Sequence, residues 1–209
     1  MPFRIAPSIL AADFLHLEKD VELVNSCGDV IHLDVMDGTL VPNISFGFSV
    51  IDQLSKVAKA PMDVHLMVVH PERWFKKVAD DGVQMCSFHL EAAGRKTSSF
   101  IKEIQSLGMK AGVAINPDVP VERLFPYIGK ADYFLIMSVF AGFGGQKFKE
   151  DMMPKLAALR RCLDDVNPGC VLSVDGGIDD ITAPICKQNG AEILVTGSAY
   201  FRAADQKSY

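Results

Sequence analysis

Short runs of apolar and β-branched residues alternate with amphipathic stretches from one end of this 209-residue chain to the other. No other feature restricts the possible folds as much. Runs without polar alternation belong to strands buried on both faces, which is how parallel strands under a layer of helices read. They fall at residues 3–8, 30–34, 62–66, 85–89, 110–115, 133–138, 171–175 and 193–196. Between them, spacings such as Leu17, Val21 and Val24, or Leu156, Leu159, Leu163 and Val166, turn one apolar stripe of a helix toward the sheet. Pro71, shortly before Trp74, suits a first helical turn. Gly28, Gly82, Gly108, Gly129 and Gly190 stand where each helix should stop, and a left-handed cap is expected at each.

A βα unit repeated in this way predicts an α/β chain folded as a (β/α)8 TIM barrel, with eight parallel strands and seven clear intervening helices. No linker composition interrupts it, so residues 1–209 read as a single domain. The structural alternative is an open doubly wound sheet. After the eighth run only residues 198–209 remain, so the C-terminal helix 8 is expected to be short or missing. Apolar surface there should be exposed or covered by a partner.

Composition excludes some functions. Twenty-one Lys and Arg against 26 Asp and Glu give a net charge of -5, which provides no general positive field for nucleic acid or a membrane surface. No apolar run reaches the roughly 20 residues needed to cross a bilayer, and the N-terminus lacks a signal-peptide pattern. The cysteines, Cys27, Cys86, Cys162, Cys170 and Cys186, are scattered, with no C-x-x-C pair. Reduced thiols and a cytoplasmic chain are therefore expected.

In a parallel barrel, polar residues at the C-terminal ends of strands face the reaction site. His32 and Asp34 are two apart in the second strand and share a face. His65 stands in the third strand and Asp175 at the end of the seventh. One strand histidine is usually structural, but two imidazoles and two carboxylates converging on one mouth suit a divalent ion such as zinc, iron, manganese or cobalt. Burying both carboxylates without a cation or hydrogen bonds would be costly. Asp37, followed by Gly38, reads as a turn residue.

Glycines gather after the last three strands: Gly142-Phe143-Gly144-Gly145, Gly176-Gly177 and Gly197-Ser198. Each alone reads as a turn, but three in consecutive loops point to a phosphorylated ligand approached by backbone N–H groups. No P-loop or dinucleotide fingerprint accompanies them. Met36, Met67 and Met137 lie near strand ends and are either core filling or a polarizable, water-poor wall for the reacting carbons.

These stretches, with Ala6-Pro7-Ser8-Ile9-Leu10, His32-Leu33-Asp34-Val35-Met36-Asp37-Gly38, Val41-Pro42-Asn43, Asp63-Val64-His65-Leu66-Met67, His89-Leu90-Glu91, Gly142-Phe143-Gly144-Gly145-Gln146 and Val174-Asp175-Gly176-Gly177, resemble the ribulose-phosphate 3-epimerase family over nearly the whole length. The resemblance implies one divalent ion on His32, Asp34, His65 and Asp175, and acid/base roles for Asp34 and Asp175. It implies substrate contact by Ser8, with phosphate held by Gly142, Phe143, Gly144, Gly145, Gly176, Gly177, Gly197 and Ser198; His65, Met36, Met67 and Met137 are the further residues expected to contact substrate. The expected activity is epimerisation at carbon 3 of D-ribulose 5-phosphate to D-xylulose 5-phosphate, in the pentose phosphate pathway, by a homo-oligomer.

Inverting a carbon beside a ketone needs two acid/base groups on opposite sides, and a divalent cation would add Lewis-acid stabilisation on the order of several kcal/mol. The chain departs from the family's usual pattern in Phe140-Ala141, where a polar or acidic residue and Pro are expected, and in Ser173, where Glu is expected. Losing Pro frees a φ angle and is expected to loosen the loop. The rivals are a hexulose-6-phosphate (allulose 6-phosphate) 3-epimerase, a non-catalytic sugar-phosphate-binding barrel, and an orotidine-monophosphate-type decarboxylase, for which the required lysine is missing.

Overall fold

The computed structural model describes residues 3–203. Eight strands, β1 (Arg4–Pro7), β2 (Ile31–Met36), β3 (Met62–Met67), β4 (Met85–His89), β5 (Lys110–Ile115), β6 (Tyr133–Met137), β7 (Val171–Asp175) and β8 (Ile193–Thr196), form one parallel sheet in the order β1-β8-β7-β6-β5-β4-β3-β2. This is the expected barrel. The β1/β2 seam is the weakest join: Asp29 and Val30 donate to the Ile5 carbonyl, and Ser8 bridges His32. The seam therefore closes beside two of the sequence-predicted site residues.

The helices are α1 (Leu17–Cys27), α2 (Phe48–Leu54), α3 (Phe75–Asp80), α4 (Leu90–Ala93), α5 (Thr97–Ser106), α6 (Met153–Val166), α7 (Thr182–Gln188) and α8 (Ser198–Arg202). Alternate strand residues face this layer: Ile31, Leu33 and Val35 join the outer core with Val21, Val24, Leu156, Leu159 and Leu163. Val166 does not join them. It ends α6 and is 65 % exposed, because the last residue of the helix lies past the sheet it was expected to cover. Between β5 and β6 the chain forms 3-10 turns over Val121–Tyr127 in place of the expected α-helix, with Pro126 inside that stretch denying it a backbone donor. Pro71 does open a helical turn, a short 3-10 piece ahead of α3.

Gly82, Gly108 and Gly190 have φ of 74°, 84° and 97° and end their helices as expected. Gly28 is extended instead, with φ -91°. Its value is space: an added Cβ would lie 2.9 Å from Val24 where α1 turns back toward the barrel. Gly129 also lacks a positive φ, and nothing in the structure explains its identity.

The last helix, α8, has five residues, as the sequence implied. Tyr200 is fully buried and Phe201 packs on the core, so none of the large exposed apolar side chains among the described residues comes from β8, α8 or β1.

A second core, including Ala6, Val30, Met85, Ala114, Tyr133, Leu135, Ile193 and Val195, fills the barrel interior. Tyr133 is opposite Gly112 across the β5/β6 ladder, and its ring occupies the space where a Gly112 side chain would stand, with Cζ 2.2 Å from an added Cβ. Gly112→Ala is expected to destabilise the protein by about 1–3 kcal/mol through overpacking. A lowered urea midpoint at unchanged m-value would show it, and an unchanged midpoint would refute this account of the pair.

Candidate active site

The β2/β3 register pairs Asp34 with His65 and His32 with Asp63, and β6/β7 pairs Met137 with Asp175. Side chains alternate across each strand, so His32, Asp34 and Met36 all point into the barrel while their neighbours face the helices. One donor atom from each of His32, Asp34, His65 and Asp175 lies within 4.8 Å of the other three. Asp34 Oδ1 is 3.4 Å from His32 Nε2 and 3.3 Å from His65 Nδ1, and Asp175 Oδ2 is 4.0 Å from His65 Nδ1.

His32 Nε2, Asp34 Oδ1 and His65 Nδ1 are buried without a hydrogen-bond partner. Unpaired polar atoms in so dry a place are costly. Their other atoms are all engaged. Ser8 Oγ donates to Asp34 Oδ2 at 2.5 Å, His32 Nδ1 meets Asp63 Oδ2 at 3.0 Å, and His65 Nε2 meets His89 Nε2 at 2.9 Å. Tyr133 donates to the second oxygen of Asp63 at 2.6 Å. The free atoms therefore all point at one spot, and a two-nitrogen, two-oxygen donor set there fits a divalent transition metal.

The electrostatics separate the two site carboxyls. Burial alone would raise Asp34, but His32 and His65 beside it hold its carboxyl far below the usual carboxylate range. Burial and the nearby Asp34 charge push Asp175 up to about 7. Burial would lower His32, yet Asp34 and Asp63 outweigh it and raise its pKa well above the ordinary imidazole value. His65 goes the other way, down to about 4, through burial and the neighbouring His89 and His32, against the pull of Asp34.

Above this cluster opens a cavity of about 850 Å³. Ser8, Asp34, Met36, Met67, Met137 and Asp175 line its inner part, with Gly142 through Gly145, Gly176, Gly177, Gly197 and Ser198 around the rim. The three methionines are nearly inaccessible and so present sulfur and methylene surface to the cavity. His32 and His65 lie wholly buried beneath its floor. Gly176 and Gly177 must be glycine: φ is 122° and 65°, and added Cβ atoms would meet Val139 and the Phe148 backbone.

The loop after β6 does not depend on proline for its shape. Asn43 Nδ2 donates to the Gly142 carbonyl, Gln146 Nε2 to the carbonyls of Phe140 and Phe143, and Ala141 N–H donates to Asn116 Oδ1. Ser173 is buried with its hydroxyl unpartnered. Asp63, Tyr133 and Asn116 were not singled out from sequence as site residues. An acidic residue two before a strand histidine was the available signal for Asp63, but its partner on the neighbouring strand shows only in the register.

Fold and site together define a (β/α)8-barrel protein with a two-histidine, two-aspartate metal-type centre under a glycine-rimmed cavity. The chain belongs to the ribulose-phosphate 3 epimerase family, whose model matches residues 4–201. It is 41 % identical to ribulose-phosphate 3-epimerase of Eremothecium gossypii, covering 97 % of this chain and 88 % of that one. It is 40 % identical to the Bacillus subtilis enzyme of that name, over 98 % and 94 %, and 38 % identical to a cytoplasmic isoform from Oryza sativa, over 97 % and 89 %. Among solved structures, 3-hexulose-6-phosphate synthase (TM-score 0.67, 19 % identity, 100 % and 95 % covered) and a mutant tryptophan synthase alpha-subunit from Pyrococcus furiosus (TM-score 0.69, 14 % identity, 100 % and 95 % covered) share the fold.

A metal can bind only after His32 gives up its proton, and that proton is held more tightly than usual. Affinity for Zn²⁺ is therefore expected to fall as pH drops from about 8 to about 6. Competition with a chromophoric chelator would measure it, and a flat profile would contradict the assignment of His32 as a ligand.

Proposed function

We propose that the chain is a ribulose-phosphate 3-epimerase, interconverting D-ribulose 5-phosphate and D-xylulose 5-phosphate. The carrying observation is the cluster itself, in a chain of this family: Asp34 from β2 and Asp175 from β7 converge with His32 and His65, and both carboxyls line one cavity. Two carboxyls that reach one cavity from different strands can supply the two acid/base groups that inversion of a carbon requires. Asp34 takes the proton from carbon three on one face, and Asp175 returns one on the other; in the reverse direction the roles exchange.

His32, Asp34, His65 and Asp175 would hold one divalent ion of the zinc, iron, manganese or cobalt type, which when bound supplies Lewis-acid stabilisation to negative charge on the sugar's oxygens. Ser8 fixes the Asp34 carboxylate through Oδ2 and leaves Oδ1 facing the cluster. Met36, Met67 and Met137 exclude water beside the reacting carbons and so protect the enediolate from side reactions. Backbone N–H groups of the loops at 142–145, 176–177 and 197–198 suit the phosphate.

The proposal extends to a cytoplasmic homo-oligomer. No helix among the described residues is long and apolar enough to cross a membrane, and Leu15 and Ile44, 89 % and 74 % exposed, are the apolar side chains that contact between copies would cover.

Turnover should require a divalent ion, stop on chelation and return on adding metal back. Proton exchange with solvent deuterium should occur at carbon three. Asp175→Asn is expected to fold normally and lose about two to four orders of magnitude in kcat. Faster turnover of allulose 6-phosphate than of the pentulose would move the assignment to the hexulose enzyme, and binding without exchange would reduce the protein to a sugar-phosphate-binding barrel.

A further inference from the structure

His89 and Glu91, at the end of β4 and the start of α4, have no place in the chemistry described so far. His89 is fully buried and touches the cluster only through His65. The bond between the two rings can be oriented from its surroundings. Nδ1 of His65 faces Asp34 and Asp175 and must offer a lone pair to a cation. A neutral imidazole carries its proton on the other nitrogen, so His65 Nε2 donates to His89 Nε2. The ring planes, 19° apart, allow that N–H to lie nearly in the plane of the accepting ring. His89 then carries its own proton on Nδ1, which lies 3.5 Å from Glu91 Oε1 and 3.5 Å from Asn116 Nδ2, the two nitrogens sharing the one carboxylate oxygen as their acceptor.

Glu91 Oε1 also accepts from the backbone N–H of Asn116 at 3.1 Å and from its Nδ2 at 3.0 Å. The amide of Asn116 is thereby fixed, nitrogen toward Glu91 and oxygen outward. That oxygen accepts the N–H of Ala141 at 2.9 Å, the residue before the glycine loop. A continuous polar chain thus runs from His65 through His89, Glu91 and Asn116 to the loop. The other histidine is backed differently, with Asp63 directly behind His32.

We propose that His89 is a positioning residue for the metal ligand His65, and that Asn116, held by the same Glu91 carboxylate, fixes the root of the glycine loop at Ala141. One network, buried at His65 and His89 and half-buried at Glu91 and Asn116, then sets both the cation site and the loop over the sugar phosphate. This rests on the epimerase reading and adds to it a role for residues that touch neither metal nor substrate. Outer partners of ligating histidines fix the tautomer and ring direction, and losing them commonly weakens metal binding about 10–100-fold.

The test is a Co²⁺ titration of the metal-stripped full chain without substrate, followed by visible absorption, together with steady-state kinetics. His89→Leu should weaken Co²⁺ binding about 10–100-fold, and His89→Gln, which keeps an acceptor within reach of His65, should recover most of it. Asn116→Leu should bind Co²⁺ nearly as the parent does, while KM for the sugar phosphate rises and limited proteolysis within residues 140–146 accelerates. Equal Co²⁺ affinity of the parent and folded His89→Leu, or weak binding by both His89 variants alike, would overturn the role of His89. Unchanged KM and proteolysis in Asn116→Leu would overturn the tie to the loop. A parent chain that takes up no Co²⁺ and epimerises nothing would overturn the functional reading as well, and so is distinguishable from both.

Discussion

Four side chains whose free donor atoms meet inside a dry barrel are the constraint on which the rest of this molecule depends. His32 Nε2, Asp34 Oδ1 and His65 Nδ1 are buried without a hydrogen-bond partner among the described residues, a cost that a cation at their common focus would offset. Every atom behind them is committed to holding that geometry: Ser8 on Asp34, Asp63 and Tyr133 behind His32, and His89 behind His65. Three of the four groups rise from the neighbouring strands β2 and β3, whose register is fixed by the ladder, and Asp175 joins them from β7.

The same crowding that suits a cation separates the proton affinities of the two carboxyls. Asp34 sits between two imidazoles and stays charged, whereas Asp175, nearer the mouth and opposed by the Asp34 charge, holds its proton into the neutral range. The glycine loops add what side chains would block, close backbone approach at Gly176 and Gly177. Three amide side chains, of Asn43, Asn116 and Gln146, hydrogen-bond the loop after β6 where Ala141 stands in place of the expected proline.

Much of this was readable without coordinates because apolar runs and their spacing report burial on two faces directly. The strands lie within a few residues of where the runs placed them, and the ligand set follows from alternation within β2 together with single polar residues in β3 and β7. What failed were inferences that needed local geometry. Gly28 looked like a left-handed cap but is extended and valued for its lack of a side chain. The segment 121–127 looked helical but carries Pro126 within a 3-10 stretch, and Val166 matched the stripe although α6 ends there.

The sequence alone determined the repeating βα architecture, the eight strands and the four groups that gather at one mouth, since hydrophobic period and side-chain alternation are properties of the chain itself. Tertiary structure decided which atoms of those groups are free and which are tied down. It decided too that Tyr133 fills the space left by Gly112 to reach Asp63, and that Asn116 lies between Glu91 and Ala141. Those are contacts between residues far apart in the chain, created only when the barrel closes, and no local pattern encodes the distance at which two strands bring their side chains together.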